Sequence, residues 1–585
     1  MGIMGILLFL AFFASGVAGE PVRSVERTVR AREATEVREG FRAAGLYCPA
    51  HTEVRASADG SAWSDWTEVL EDEGGGSLVY FGPLQRHIET TADCRALLID
   101  AGETPAEERK RLRARAAAEP LAVVKREEWG CTPAVCPVTA TPSYTKVTHL
   151  VVHHSASANT SNDWPAVLRS FWVLHVRGNG WSDIGYNYLI DPDGVLYEGR
   201  AGGDGVLGAH FSGVNSGTMG VCMVGTFSTV APTAASVDTL RGMLAWQAEK
   251  WKLDAGGGTL HAASGLTLPV ISGHRDAGLS PRATSRTECP GNGLYALLAG
   301  LRRQVRQGME EDCLLEMQRP WRCAAGDGGI VEIPYTLGSG CALDVESQAD
   351  WIRAEREDGL IRLTIAANGD AASRTGEVRA NRQVVSVSQA GMGQGAPPCV
   401  DFRGVVSAAG FDERPAVAGS LISILGEGLA SGEAKSEEWP TVLGDVSVEI
   451  NGRAAALAYV SAAQINAQVP AATNIGSARI TVTSNGVAGP ERLFWVSEAV
   501  PSIFYADSPV RAGEAVNVYL TGAGRSGLPW TVNVGRAVSL SAVEGLVGVQ
   551  VARVELPADL AAGEHDLFVT VAGATSSAVR IAVTP

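Results

Sequence analysis

Three side chains that lie far apart in the sequence have the types that bind a zinc ion. His153 lies near the end of VTHLVVHHSA, an apolar stretch of strand character. His274 and Cys289 lie in the stretch GHRDAGLSPRATSRTECPG. Two imidazoles and one thiolate are ligands that zinc prefers, and three protein ligands leave a fourth tetrahedral position for water. The sequence therefore predicts a catalytic Zn²⁺ site.

The chemistry expected of such a site is hydrolysis. Zinc with this ligand set lowers the pKa of its bound water toward roughly 7. The sequence has no HExxH pattern that would supply a glutamate base. We therefore expect the proton of that water, relayed by a neighbouring group, to reach the leaving nitrogen.

Seven motifs surround these residues in order between about Val123 and Val305. They are REEWG, THLVVHHSA, GWSDIGYNYLI, LYEGR, GAHFSGVNSGTMGVCMVGTF, ISGHRD and TECPG. Together they resemble the peptidoglycan recognition protein and type 2 N-acetylmuramoyl-L-alanine amidase family. The resemblance implies an α/β zinc amidase domain with a mixed central sheet, flanking helices and a long groove for peptidoglycan or muropeptides. It also implies hydrolysis of the lactyl amide bond between muramic acid and L-alanine.

The resemblance assigns roles to five positions. His153, His274 and Cys289 fall on the zinc ligands. Tyr186, in the second predicted strand, falls on a tyrosine that lies beside the metal and stabilises the reacting carbonyl. Thr287 falls where some phage members carry a lysine, and a threonine can add only a hydrogen bond there instead of a charge. Tyr186 and Thr287 are therefore the predicted catalytic residues.

Cys289 separates two functional hypotheses. Family members that bind without hydrolysing often have serine here, and a serine hydroxyl is a poor zinc ligand. The cysteine favours an enzyme. The alternative is a non-catalytic peptidoglycan-binding or adhesion protein that uses the same groove.

The loop between His274 and Cys289 departs from the family pattern. It is about twice the usual length, so GLSPRATSR is interpreted as an insertion, and a long loop closes at little entropic cost.

Other polar residues of this region are weighed against structural roles. His154 follows His153 on the same strand, so it points to the opposite face and is interpreted as structural. For His210, in the glycine-rich GAHFSG, substrate contact and a structural role are equally supported. Asn215 and Arg200 are weaker candidates for substrate contact. Asp276 either orients His274 from the second shell or caps a turn.

Length and composition limit the number of domains, the partners and the location of the protein. A length of 585 residues predicts about four domains, and a net charge of −16 argues against nucleic acid or an anionic membrane as partner. Residues 1–19 are apolar and end in small residues, which indicates a signal peptide or, alternatively, an uncleaved anchor. No second long apolar segment follows, so we expect no membrane span after cleavage and a secreted or periplasmic location in a bacterial cell envelope.

Export would oxidise most of the ten cysteines. Cys289 is reserved for zinc, and Cys222 is expected to be a buried thiol. Spacing leaves the connectivity open, and the pairs proposed are Cys131 with Cys136, Cys48 with Cys94, Cys313 with Cys323, and Cys341 with Cys399.

The segments before and within the amidase region are predicted from composition and periodicity. Residues 20–40 are interpreted as a flexible charged lead, 41–102 as an all-β module resembling a small β-sandwich, 103–121 as a charged helical linker and 122–308 as the amidase domain. Trp63 and Trp66 are candidates for sugar stacking, with a core role as the alternative. Apolar residues at helical spacing predict helices from Asn162 or Asp163 to Val176, from Asp238 to Lys252 and from Gly293 to Gln307.

Strand patterns continue to the C-terminus. Residues 328–392 resemble the BACON module, an immunoglobulin-like β domain, through Trp351, Ile352, the turn at Arg374 and VVSVSQAG. GMGQGAPP is a linker, 399–500 resemble an immunoglobulin-like TIG domain, and 501–585 form a second β unit that could complete the same architecture. This half is either a passive spacer or a tether that contacts carbohydrate or a cell surface.

Overall fold

The computed structural model describes residues 22–70, 76–119, 121–309, 315–317, 319–338, 341–412 and 414–584. The predicted signal peptide at 1–19 lies outside these residues. The chain forms two compact units, one from Met1–Arg111, Val124–Thr141 and Ser161–Ile184, the other from Leu112–Val123, Pro142–Thr160 and Gly185–Pro585. Within the described ranges, no helix combines the length and apolarity needed to cross a bilayer.

The first unit contains an antiparallel sheet of six strands in the order β1-β6-β2-β5-β3-β4. The strands are β1 (Arg23–Val29), β2 (Thr35–Tyr47), β3 (Glu53–Ser57), β4 (Thr67–Glu68), β5 (Ser77–Thr90) and β6 (Cys94–Asp100). Pairing joins them into one sheet, whereas the sequence indicated a small β-sandwich. The resulting all-β module agrees with the type of structure expected there.

From Arg23 onward, the segment expected to be a flexible lead contributes strands to this sheet. β1 pairs with β6 from Arg23 to Val29, and β2 begins at Thr35. Val29 and Val37 are fully buried, so these strands supply core residues. Their many charged residues obscured the alternation because they occupy the exposed face.

The first unit also holds a helix, α2 (Trp164–Val173), followed by a π-helical turn (Leu174–Gly178). Asp163 caps α2 by accepting the Ala166 N–H at 3.1 Å, as the sequence indicated. The predicted helical linker contains α1 (Ala106–Ala118), in which only Leu112 is buried.

The second unit begins with an α/β domain around a mixed sheet in the order β13-β7-β10-β8-β9. Four neighbouring strands are parallel, and β9 runs antiparallel to β8. The strands, including a separate β11-β12 hairpin, are β7 (His149–His154), β8 (Tyr188–Ile190), β9 (Leu196–Glu198), β10 (Thr218–Met223), β11 (Gly258–His261), β12 (Leu266–Pro269) and β13 (Ile271–Gly273).

The two faces of this sheet bury different residues. On one face, Leu150 and Val152 of β7 join an apolar core with residues of α3 (Ala234–Trp251) and α5 (Leu298–Met309). On the other face, Val151 packs with residues of the loops and the hairpin. Because side chains alternate along a strand, His153 shares the face of Val151.

The helix predicted at 293–307 is divided. α4 (Asn292–Tyr295) and α5 are separate, and α5 continues to Met309. α3 begins four residues before the predicted start, where the Thr233 hydroxyl accepts the Ser236 N–H at 3.2 Å.

Three all-β regions follow the α/β domain, which confirms the predicted fold class. The first has two four-stranded sheets around an aliphatic core. Its strands are β14 (Leu315–Met317), β15 (Trp321–Ala324), β16 (Gly329–Leu337), β17 (Val345–Ser347), β18 (Ile352–Glu357), β19 (Leu360–Ile365), β20 (Arg374–Ala380) and β21 (Gln383–Gln389). This is a β-sandwich, and its assignment to the BACON type stays a prediction.

The second all-β region has a five-stranded and a seven-stranded sheet around its own core. Its strands are β22 (Cys399–Ser407), β23 (Ala416–Val417), β24 (Leu421–Glu427), β25 (Ala434–Lys435), β26 (Val442–Leu443), β27 (Val446–Ile450), β28 (Arg453–Ala454), β29 (Ala456–Val460), β30 (Gln464–Gln468), β31 (Gly476–Ser484), β32 (Val487–Ala488) and β33 (Arg492–Ser497).

The last region has its own core, and its completing the architecture of the preceding region stays a prediction. Its strands are β34 (Ser502–Ala506), β35 (Val510–Arg511), β36 (Ala515–Thr521), β37 (Trp530–Val532), β38 (Arg536–Ala542), β39 (Gln550–Glu555), β40 (Gly563–Leu567), β41 (Val569–Val571), β42 (Ala574–Thr575) and β43 (Val579–Thr584).

Disulfides join Cys48 to Cys94 and Cys131 to Cys136, as the sequence analysis proposed. The other two proposed pairs are wrong because Cys323 is bonded to Cys399. Cys341 is also disulfide-bonded, and Cys313 lies outside the described residues.

Candidate metal centre

The three predicted ligands meet at one edge of the mixed sheet. Val152 and Gly273 are register partners on the parallel strands β7 and β13, so His153 and His274 follow at the same edge. Cys289 joins them from the loop before α4. One donor atom from each of the three buried side chains lies within 4.8 Å of the others.

His153 is held between Cys289 and a second histidine. Its Nδ1 lies 3.8 Å from the Cys289 Sγ, and its Nε2 lies 3.0 Å from Nδ1 of His210. His153 is fully buried and His210 is 1% exposed. His210 is therefore placed to orient His153, and the substrate contact considered for it stays a prediction.

His274 is oriented by serines. Its Nε2 lies 2.9 Å from the Ser212 Oγ, and the Ser285 hydroxyl donates to the Ser212 Oγ at 3.0 Å. Ser285 belongs to the inserted GLSPRATSR loop, whose Thr284 N–H also donates to the Ser212 carbonyl at 2.8 Å. Sequence reasoning missed both serines, although Ser212 stands two residues after His210 in GAHFSG.

The Cys289 sulfur contacts both the backbone N–H and the carbonyl of His154. Its Sγ accepts the backbone N–H of His154 at 3.3 Å, and it is in no disulfide among the described residues. The Thr287 Oγ1 accepts the Cys289 N–H at 3.0 Å, so Thr287 shapes the ligand loop while its hydroxyl can still donate. The ring of His154 lies apart from the cluster, where its Nδ1 accepts the Phe227 N–H at 3.2 Å.

Burial keeps the histidines of this site neutral. Desolvation lowers the pKa of His274 to about 3 and that of His210 to about 3, and it lowers the pKa of His153 well below its ordinary value. A metal ligand must offer a lone pair, so neutral imidazoles are the form that a metal site requires.

Tyr186 lies in the loop that leads into β8, not in a strand as predicted. It is 2% exposed, and its ring centroid lies 5.1 Å from that of His153. Arg200 is half-buried, and its N–H donates to the Tyr186 carbonyl at 2.8 Å. The Asn215 Oδ1 accepts the N–H groups of His210 and Phe211 at 2.7 Å each, so Asn215 positions the loop that carries His210.

Asp276 caps a turn. Its Oδ2 accepts the Gly273 N–H at 2.9 Å and its Oδ1 accepts the Tyr295 hydroxyl at 2.8 Å. Of the two roles considered for Asp276, the contacts match the turn cap, and Ser212 occupies the second shell of His274.

The donor set fits zinc. Among the described residues, two imidazole nitrogens and a sulfur are clustered without a carboxylate, a combination typical of tetrahedral zinc sites. The outer nitrogens of both histidines are hydrogen-bonded, as is usual for metal-binding histidines. Fold and donor set therefore define an α/β domain suited to holding a metal ion.

Comparison with known proteins identifies the family. The N-acetylmuramoyl-L-alanine amidase family model matches residues 143–292, and the IPT/TIG domain model matches residues 414–493. Peptidoglycan-recognition protein SC2 of Drosophila simulans is 30% identical over 177 residues, which cover 30% of this chain and 83% of that protein. The N-acetylmuramoyl-L-alanine amidase of Homo sapiens is 35% identical over 155 residues, which cover 26% of this chain and 23% of that protein.

A solved structure, that of Drosophila peptidoglycan recognition protein SD, is 26% identical and covers 30% of this chain and 93% of that one, with a TM-score of 0.25. On the sequence matches, the chain belongs to the peptidoglycan recognition protein and N-acetylmuramoyl-L-alanine amidase family, and its C-terminal part contains a TIG-like region.

Proposed function

We propose that this chain is an exported, zinc-dependent N-acetylmuramoyl-L-alanine amidase. It hydrolyses the lactyl amide bond between muramic acid and L-alanine in peptidoglycan. The observation that carries the proposal is the buried cluster of His153, His274 and Cys289, which supplies a complete three-ligand set. The family match and the human relative, itself named as an amidase, support the reaction type.

The chain's own residues have distinct tasks in this proposal. Bound zinc supplies Lewis acidity to the reacting carbonyl and to water. His210 and Ser212 hold the two ligand rings in one orientation, and the His154 N–H stabilises the Cys289 thiolate. The Tyr186 hydroxyl hydrogen-bonds the oxygen on which charge develops when the amide is attacked.

Two observations support export. The apolar leader at 1–19 has the length and small-residue end of a signal peptide. The disulfides Cys48–Cys94, Cys131–Cys136 and Cys323–Cys399 are of a kind that persists in oxidising compartments. A secreted or periplasmic location therefore belongs to the proposal.

Recognition without cutting is the second candidate, because the Drosophila relative is named as a recognition protein. The same groove would then bind peptidoglycan or muropeptides and leave the amide intact. The two candidates differ in whether new amino-terminal alanine forms.

The test is digestion of purified peptidoglycan by the full chain, followed by mass analysis of the fragments and labelling of new amino termini. We expect free amino-terminal alanine, its loss with a chelator and its return with zinc. Cys289→Ser should abolish cutting and still bind the wall. Cys222→Ala, which removes the buried thiol outside the cluster, is the matched control and should stay active.

Two results would contradict the proposal. One is wall binding by the wild-type chain without any new amino-terminal alanine, which would favour recognition. The other is full activity of Cys289→Ser, which would remove the ligand assignment.

A further inference from the structure

Arg275 connects the two segments that carry His274 and Cys289. It follows His274 directly, and its N–H donates to the Cys289 carbonyl at 2.8 Å. Its Nη2 donates to the carbonyl of Glu288, the residue before Cys289. One arginine therefore ties both ends of the inserted loop together.

The guanidinium of Arg275 lies close to two aromatic rings. It lies 4.5 Å from the ring centroid of Tyr295, near the C-terminal end of α4, and 4.9 Å from that of Trp495. Trp495 belongs to β33 of the TIG-like region. Arg275 is fully buried, and such a cation is stable only when aromatic faces and acceptors replace water.

Trp495 is not a core residue of its own domain. Its neighbours Phe494 and Val496 both pack in the TIG-like core, and the alternation of a strand turns Trp495 to the other side. Trp495 is nevertheless only 8% exposed, and Arg275 of the α/β domain lies against its ring. It also lies outside the 143–292 segment matched by the amidase family model.

A second contact joins the same elements. The Ser497 hydroxyl of β33 lies 3.5 Å from the Asn292 Oδ1, and this oxygen accepts the Arg275 Nη1 at 2.9 Å. Asn292 opens α4, three residues after Cys289. The strand that carries Trp495 therefore contacts both sides of the ligand loop.

We propose that the TIG-like region is a structural part of the metal centre, with Trp495 as a positioning residue that keeps Arg275 in contact with the Cys289 loop. The inference rests on the proposed function in that it assumes metal binding by His153, His274 and Cys289. Without the Trp495 ring, water reaches the guanidinium, its hold on the Glu288 carbonyl weakens and the Cys289 donor becomes mobile. The C-terminal half is then neither a passive spacer nor solely a tether.

The experiment measures zinc affinity of the full chain by competition with a chromophoric chelator. Outer-shell changes of this kind weaken metal binding about 10–100-fold, and we expect that loss for Trp495→Ala. Trp495→Phe keeps an aromatic face and should stay within about threefold of wild type. Trp439→Ala, in a loop of the same region, is the matched control and should bind zinc as wild type does.

The Co²⁺-loaded protein gives a readout independent of activity. The sulfur-to-cobalt absorption band should weaken or shift in Trp495→Ala and remain in Trp439→Ala. If Trp495→Ala does not fold, Trp495→Leu and Trp495→Phe are compared in its place. Both variants keep apolar volume, but only phenylalanine keeps an aromatic ring face. Affinity that falls from Trp to Phe to Leu supports the proposal, and equal affinities overturn it.

The outcomes separate this inference from the proposed function. Wild-type protein that binds zinc but does not cut peptidoglycan refutes the amidase proposal and leaves the Trp495 role testable. Folded Trp495→Ala with wild-type zinc affinity, in a chain that cuts peptidoglycan, refutes only the role of Trp495.

Discussion

The α/β domain and the TIG-like region bury different kinds of residue. The TIG-like core consists of aliphatic side chains such as Ile424, Leu457 and Ile480. In the α/β domain, by contrast, one face of the sheet is apolar, and its opposite face and C-terminal edge bury a set of histidines. Burying groups that prefer water costs stability, so such burial marks the part of a molecule where function outweighs stability.

The largest difference should appear in turnover. Tyr186→Phe removes the hydroxyl of a ring whose centroid lies 5.1 Å from that of His153, and loss of such a donor lowers kcat about 10²–10³-fold. Zinc affinity should not change. The matched control is Tyr197→Phe, whose buried hydroxyl instead donates to Asp191 at 2.8 Å and should affect stability without affecting kcat. Equal kcat for Tyr186→Phe and wild type would remove Tyr186 from the reaction.

A mutation in the aliphatic core of the TIG-like region should instead affect stability. Leu457→Ala empties a fully buried position of the TIG-like region and should lower its free energy of unfolding by about 2–5 kcal/mol. Denaturant unfolding measures this, with Leu546→Ala at an exposed site as the control. Zinc affinity under native conditions should be unchanged. A fall in zinc affinity before this region unfolds would show that its aliphatic core also affects metal binding, which would contradict the contrast between the two regions.

The histidine behind His153 offers a smaller effect. His210→Gln removes the ring that lies 3.0 Å from the His153 Nε2, and we expect zinc binding to weaken about 10–100-fold. His175→Gln, at another fully buried histidine, should leave zinc affinity unchanged. If both variants bind zinc like wild type, the contact of His210 with His153 has no role in holding metal.

The smallest effect concerns pH. Desolvation lowers the pKa of His149 to about 3, below the ordinary 6.5, so the unfolded chain binds one more proton between these values. Stability from this group is complete above pH 6.5 and is lost as the pH falls toward 3. In the metal-free α/β domain, the free energy of unfolding should therefore fall less steeply with falling pH in His149→Gln than in wild type. The difference in slope should be about 1.4 kcal/mol per pH unit.

Unfolding of the metal-free protein at several pH values between 5 and 7 checks this slope. The TIG-like region contains no histidine, so its slope over this range provides an internal control. The same slope in His149→Gln and wild type would contradict neutral burial of His149.

The sequence predicted the features that depend on neighbouring residues, but not those that depend on contacts between distant segments. The three residues that cluster could be identified because residue type and flanking motif are local signals, as with Cys289 in TECPG. The role of His210 could not be, since it depends on the meeting of a loop with the end of β7. The pairing of Cys323 with Cys399 was missed for the same reason, because sequence spacing does not reveal which strands become neighbours. β1 was missed because its charged residues conceal an edge strand.

The Cys323–Cys399 bond spans the glycine-rich stretch 391–398. Cys323 lies on β15 of one β-sandwich and Cys399 opens β22 of the next. A protease that cleaved between residues 391 and 398 would nick the backbone without releasing a fragment. The TIG-like region would stay attached to the α/β domain until a reductant opened the bond, so in a protease-rich medium the bond would preserve the molecule as one covalent piece.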